Sequence, residues 1–311
     1  MTSFKPKYLE THAQGLLEEK IVEAYKCLKT CTLCPRRCGV NRLEGETGVC
    51  KTGQQAVISS FNAHFGEETP LVGRNGSGTV FFTHCNLLCN FCQNFSISHE
   101  GEGSMVTDAQ LAAIMLSLQK AGCHNINLVT PSHVIYPILT ALAIAIEKGL
   151  SIPIVYNTSA YDNVSSLKLL DGIIDIYMPD FKFWGKAVAK LTCDAADYPD
   201  VARKAVIEMH RQAGELKTDA RGIAQRGLLI RHLVLPENLA GTQEVMRFIA
   251  EKISTDTYVN IMPQYRPCGR ADEVKGLSKS LAATDYKKAL CTAKEQGITP
   301  LDRRGPIFGI R

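Results

Sequence analysis

Beyond about residue 79 the sequence alternates short apolar runs with longer stretches of helical period, and this alternation leaves few folds open. The runs occupy residues 79–83, 125–129, 152–156, 173–178, 227–234 and 258–262, and they are rich in Val, Ile, Leu and aromatic side chains. The segments between them predict helices. Thr107 with Gln110 forms a capping box that opens one to about Ala121; others fall near 132–148, 164–170, 186–191, 200–214, 242–253 and 285–296. Pro153 has no N–H to give a ladder, so it belongs at the start of its run. Strands joined through helices lie parallel, with right-handed crossovers and helices outside the sheet. Six such units predict an α/β fold of the partial (β/α)6 barrel kind, whose functional loops follow the strands.

The first part of the chain reads differently. Leu9, Leu16, Leu17, Ile21, Ala24, Tyr25 and Leu28 keep a period near 3.6 and predict an N-terminal amphipathic helix over 9–28. A cysteine-rich stretch over 31–50 follows, broken by Pro35, Gly39, Gly45 and Gly48, and reads as a metal-binding extension rather than a packed element. Two domains are therefore expected: 1–72, the helix with the cysteine-rich extension, and 73–311, the barrel.

Twelve cysteines are many for this length, and they are unevenly placed. Cys27, Cys31, Cys34, Cys38 and Cys50 crowd one segment and Cys85, Cys89 and Cys92 another, while Cys123, Cys193, Cys268 and Cys291 stand alone. Clustered thiols without a visible export signal point to metal ligands in a reducing cytoplasm rather than to disulfides. The apolar stretch over 134–146 contains Tyr136 and Pro137 and falls short of the roughly 20 residues that span a bilayer, so no membrane partner is expected. Lys and Arg number 35 against 31 Asp and Glu, a net charge of +4 without a polybasic block. Nothing in that balance calls for nucleic acid.

The sharpest motif is Cys85-x3-Cys89-x2-Cys92, placed directly after the first of the six strands. Three thiolates on one loop can hold three corners of a [4Fe-4S] cubane, where a fourth cysteine would ordinarily complete it. With three, one iron stays open to an outside ligand. The same three cysteines could instead belong to a zinc site or to a ferredoxin cluster completed by a distant cysteine, although zinc sites usually draw pairs from two separated knuckles.

These residues resemble the radical S-adenosylmethionine (radical SAM) superfamily. The strings GSGTVFFTHCNLLCNFCQNFSIS, YNTSAYD, YMPDFKF, LIRHLVLP and NIMPQYRP are similar to the uncharacterised branch related to pyruvate formate-lyase activating enzymes. The resemblance implies that Cys85, Cys89 and Cys92 bind a [4Fe-4S] cluster and that S-adenosyl-L-methionine chelates the open iron. It further implies reductive cleavage to a 5′-deoxyadenosyl radical that abstracts hydrogen from a substrate. A low-potential electron donor such as flavodoxin or ferredoxin is the implied partner. The implied substrate is a glycine of a glycyl radical enzyme, with a small molecule or another protein as the alternative. A rival of another class is a non-catalytic iron–sulfur electron carrier or zinc-binding module.

Further site residues follow from the resemblance. Relatives carry a Gly-Gly-Glu segment after the second strand, for the amino group of the cofactor; here the place reads Val129-Thr130-Pro131-Ser132-His133, so a Thr130 carbonyl or His133 would substitute. Asn157 and Thr158 end the third strand, and Asp180 and Lys182 follow the fourth; Thr158 and Asp180 would meet the cofactor carboxylate region and Lys182 cofactor or substrate. Asp180 and Lys182 also read as a structural ion pair. Arg231 and His232 are neighbours on one strand, so one of them faces inward, and the resemblance puts His232 at the adenosine pocket, against a plain core histidine. Gln264 and Tyr265 read as pocket-lining or as a turn. The set Cys31, Cys34, Cys38 and Cys50 can fill a coordination shell by itself, for zinc or for a second iron–sulfur cluster.

Overall fold

The structure, a computed structural model, describes residues 4–302, so the last nine residues of the expected 73–311 domain lie outside it. The chain is a mixed α/β protein on one open nine-stranded sheet: β1 (Ala56–His64), β2 (Ser77–Phe82), β3 (Ser104–Val106), β4 (Ile126–Val129), β5 (Ile154–Thr158), β6 (Ile176–Pro179), β7 (Lys217–Thr218), β8 (Ala224–Leu233) and β9 (Tyr258–Met262). Six of these are the anticipated runs. They pair in parallel as β2-β4-β5-β6-β8-β9, with Val80 beside Leu128, Leu128 beside Tyr156, and Ile230 beside Val259. Every residue of β5 and of β6 is buried, as a parallel sheet covered on both faces requires.

Three strands lie beyond that set. β1 and β3 add an antiparallel edge on β2, and β7 flanks the first half of β8. β1 alternates buried and half-buried residues only over its first four positions and then has three exposed and two half-buried residues, so its period-2 signal is weak. Because β1 pairs with β2, the line expected at 72/73 falls between two strands of one sheet.

The helices are α1 (Lys7–Ala13), α2 (Leu16–Lys29), α3 (Thr69–Val72), α4 (Asp108–Lys120), α5 (Ile135–Glu147), α6 (Val164–Leu169), α7 (Lys186–Cys193), α8 (Tyr198–Ala213), α9 (Thr242–Phe248) and α10 (Ala283–Glu295). The single N-terminal helix expected over 9–28 is two, α1 and α2. Gly15 sits between them at φ +73, a left-handed conformation that ends one helix and that glycine adopts without a Cβ penalty. The break lets α1 turn onto the sheet's lower rim, where the Tyr8 hydroxyl donates to the Ile152 carbonyl at 2.8 Å and Thr11 to that of Gly172 at 2.7 Å. Helix α4 opens on the predicted capping box, Thr107 Oγ1 accepting from the Gln110 N–H and Gln110 Oε1 from the Thr107 N–H. Ile135, Ile138, Leu139 and Leu142 of α5 are buried and join the main core with Ile126 and Leu128 of β4. No helix is long and apolar enough to cross a membrane, among the described residues.

Candidate active site

Residue 85 leaves the sheet at the C-terminal end of β2, and the loop it opens is held from several sides. The Thr83 N–H donates to Val57 O, Asn86 Nδ2 to Tyr161 O at 2.7 Å, and the Asn90 N–H to Thr192 O at 2.9 Å. His84 and Leu88 take left-handed φ of +69 and +58, and Thr130 and Ala160, after β4 and β5, take +62 and +60. Non-glycine residues hold such angles only where the surroundings impose them, and such positions cluster at functional sites. All four lie at the same end of the sheet.

That end carries a cavity of about 420 Å³, onto which Cys85, Cys89 and Cys92 all face. Thr130, Asn157, Thr158, Asp180 and Lys182 line it as well, so the sheet brings these five together with the three thiols. Gln264 and Tyr265 also line it, after β9. His133 and His232 do not. The His133 ring is buried behind β2 with Nε2 against Thr83 O at 3.0 Å. His232 is buried between Phe181 O at Nδ1 and Thr242 Oγ1 at Nε2. Desolvation drives both imidazoles toward the neutral form, to about 3 and about 4. On β8 the pleat alternates, and it is Arg231 that turns into the cavity while His232 turns into the helical layer.

Arg231 organises the polar wall. Its Nε donates to Asp180 Oδ1 at 2.6 Å and its Nη2 to Asn157 Oδ1 at 2.8 Å, while Nη1 lies 3.3 Å from Glu67 Oε2 and 3.8 Å from Glu68 Oε2. Lys182 Nζ donates to Asp180 Oδ2 at 2.8 Å, so the ion pair read from the sequence exists and also lines the cavity. Burial alone would raise the Asp180 carboxyl, but Arg231 and Lys182 outweigh it and hold it at about 2. Glu68 goes the other way, burial pushing it up to about 7 despite Arg231. Thr158 gives its hydroxyl proton to Asp162 Oδ2 at 2.6 Å, which leaves only acceptor capacity toward the cavity.

Glu67 is a charged cavity residue that sequence reasoning missed, and Arg231 is the one of the Arg231–His232 pair that the sequence left undecided. Glu67 arrives on the β1–α3 connection, far in sequence from the strands it faces, so no local pattern marks it. Two cavity atoms, His84 Nδ1 and Ser159 Oγ, are buried without a protein hydrogen-bond partner, as suits a wall built to face a polar ligand.

The thiols themselves are protonated in this environment. Burial, with the charge of Cys89 next, pushes Cys85 up to about 12, and burial raises Cys92. A bound cation would displace those protons. Cys193, at the end of α7, brings its Sγ to 3.3 Å from that of Cys89, yet it lies behind Cys89 and outside the cavity wall. Cys193 is thus placed to pack against Cys89 rather than to face the cavity.

Over 31–50 the backbone folds as tight turns around Cys31, Cys34, Cys38 and Cys50. The Cys31 N–H donates to Val40 O, the Gly39 N–H to Cys31 O, and the Val49 N–H to Cys38 Sγ at 3.4 Å. Cys31, Cys34 and Cys50 are buried. Burial first, and then the charges of Cys50, Cys31 and Cys38, push Cys34 up to about 12. The four thiols are therefore electrostatic neighbours, and none of them lines the cavity. Among the described residues no three His, Cys, Asp or Glu side chains stand in the geometry of a single-ion site.

No known family profile matches the chain. The uncharacterized protein MJ0674 of Methanocaldococcus jannaschii is 30% identical to it over 299 residues, covering 93% of this chain and 82% of the archaeal one.

Proposed function

The chain belongs to the family of that archaeal protein, and from its own site we propose that it is a radical SAM iron–sulfur enzyme. One observation carries the reading: three thiols from a single loop converge on a cavity that also presents Asp180, Lys182 and Arg231. The donor set fits, since thiolate ligation at three positions is what a cubane with one open iron requires. Cys85, Cys89 and Cys92 would hold the [4Fe-4S] cluster. When bound, the cluster and S-adenosyl-L-methionine supply a one-electron reductive cleavage whose 5′-deoxyadenosyl radical removes a hydrogen atom from the substrate.

The chain's own residues supply the setting. Arg231 and Lys182 present cationic donors where a carboxylate can bind, and their shared partner Asp180 fixes both in place. Glu67, Thr130 and Thr158 offer acceptors on the same wall. Phe91, Leu87 and Tyr265 close the cavity with apolar surface that excludes water. The parallel set β2-β4-β5-β6-β8-β9 is read as the partial (β/α)6 barrel carrying this site, and Cys31, Cys34, Cys38 and Cys50 as a second thiolate site for another iron–sulfur cluster, the four thiols not standing in the single-ion geometry that zinc requires. Flavodoxin or ferredoxin would deliver the electron in a reducing cytoplasm, and a glycine of a glycyl radical enzyme is the proposed substrate.

Anaerobic reconstitution tests the reading. With S-adenosyl-L-methionine and dithionite the protein should form 5′-deoxyadenosine, and Cys89→Ala should abolish this. A cluster that assembles and never cleaves the nucleoside would place the protein among electron carriers. A glycine-centred doublet in the EPR spectrum of a candidate partner identifies the substrate class.

A further inference from the structure

Arg36 lies between Cys34 and Cys38, outside the cavity, and its guanidinium is spent on backbone of the catalytic loop. Nε donates to Asn86 O at 2.9 Å and Nη2 to Leu87 O at 3.1 Å. The other edge reaches α7: Nη2 donates to Cys193 O at 2.7 Å and Nη1 to Asp194 O at 2.6 Å. Four carbonyls on two segments thus share one planar cation, whose centre also stands 5.3 Å from the Tyr161 ring centroid. The α7 carbonyls are the unpaired ones of a helix C-terminus, where a cation is favoured, and those of Asn86 and Leu87 sit between Cys85 and Cys89.

We propose that Arg36 is the positioning residue of the three-cysteine loop: it ties the loop's backbone to the end of α7 and so makes the N-terminal cysteine-rich segment a determinant of cluster geometry. Two further ties join the loop to α7 beside the same contact, the Asn90 N–H to Thr192 O at 2.9 Å and the Cys193 thiol to Cys89 Sγ at 3.3 Å, and neither reaches the backbone of Asn86 or Leu87. Lysine cannot replace the arginine, because a single ammonium cannot span both segments. The consequence for cluster and cofactor rests on the radical SAM reading; the clamp itself does not.

Hydrogen exchange on the full-length chain, before and after anaerobic reconstitution, tests the clamp. In Arg36→Ala the amides over 86–92 should exchange about tenfold faster or more, the loss expected when a charged hydrogen bond goes, while those of α5 keep their wild-type rates. Arg36→Lys should do the same, and it serves if the alanine variant folds poorly. Arg37→Ala, an exposed neighbour, is the control. In the reconstituted proteins, titrating S-adenosyl-L-methionine against the EPR spectrum of the reduced cluster should give a dissociation constant raised about tenfold or more in both Arg36 variants. Unchanged exchange over 86–92 overturns the clamp. Faster exchange with an unchanged spectrum and dissociation constant overturns its role in positioning. If the wild type itself takes up no cluster, the functional reading falls, and the exchange comparison alone still judges Arg36.

Discussion

Replacing Arg231 with Met should be among the most costly single changes in the fold, and its cost should grow with pH. The guanidinium serves three carboxylates, those of Asp180, Glu67 and Glu68, whose side chains are 15%, 8% and 4% exposed. At an effective dielectric near 20, one unit pair at 4 Å is worth about 4 kcal/mol, but much of that only offsets the desolvation of the ions. What mutation reads is the cost of leaving buried carboxylates without their cation, about 3–5 kcal/mol. Methionine keeps most of the stem's packing, so the charge is what is tested.

The pH dependence fixes the cause. In the wild type Asp180, at about 2, stabilises the fold above its ordinary range, and that contribution is lost as pH falls toward 2. Glu68, at about 7, does the opposite: the folded state keeps its proton while the unfolded state has released one, so its contribution declines as pH rises from about 4.5 to 7. Without Arg231 the carboxyls of Asp180 and Glu68 move up. The variant then escapes part of its penalty at pH 5 by binding protons and suffers all of it at pH 8. Urea unfolding under reductant at the two pH values measures both. A loss under about 1 kcal/mol, or one larger at pH 5 than at pH 8, refutes the account of the network.

Two further outcomes follow from buried groups near the site. Cys193→Ala should leave cluster uptake and 5′-deoxyadenosine formation intact, measured as iron content and product per chain, because Cys193 packs behind Cys89 rather than on the cavity; loss of the cluster would make it a ligand. His133, held neutral by burial at about 3, takes its proton in the unfolded chain near 6.5, so it stabilises the fold above that pH and the contribution is lost as pH falls from 6.5 toward 3. His133→Gln should flatten that decline by up to about 1.4 kcal/mol per pH unit. Taking the difference between variant and wild type removes the opposite trend of Glu68 and Asp175, both raised by burial to about 7.

Much of the parallel sheet was legible because its signals are local. A run such as Ile154-Val155-Tyr156 is buried on both faces and needs no partner to announce it. The three thiols were legible for the same reason: one loop carries all of them. What the sequence hid depends on distant pairs. The pleat requires Arg231 and His232 to face opposite ways, but which one turns inward is decided by Asp180 and Glu67, which lie 51 and 164 residues away. β1 declares itself only when β2 and β3 supply its ladders. Gly15 was visible, yet its φ follows from the path α1 must take to reach Ile152 and Gly172.

Arg36 is the sharpest instance of this rule. In the sequence it is one of two arginines beside a turn, indistinguishable from the exposed Arg37. Its meaning lies in four carbonyls 50 to 158 residues away, none of which has a side-chain identity that a motif could record. Cysteine spacing can therefore suggest that a loop is able to bind a cluster, while the geometry at which it would do so would be set by backbone contacts that leave no pattern along the chain. A change in the cysteine-rich segment should accordingly be read at the cavity, even though none of its thiols faces it.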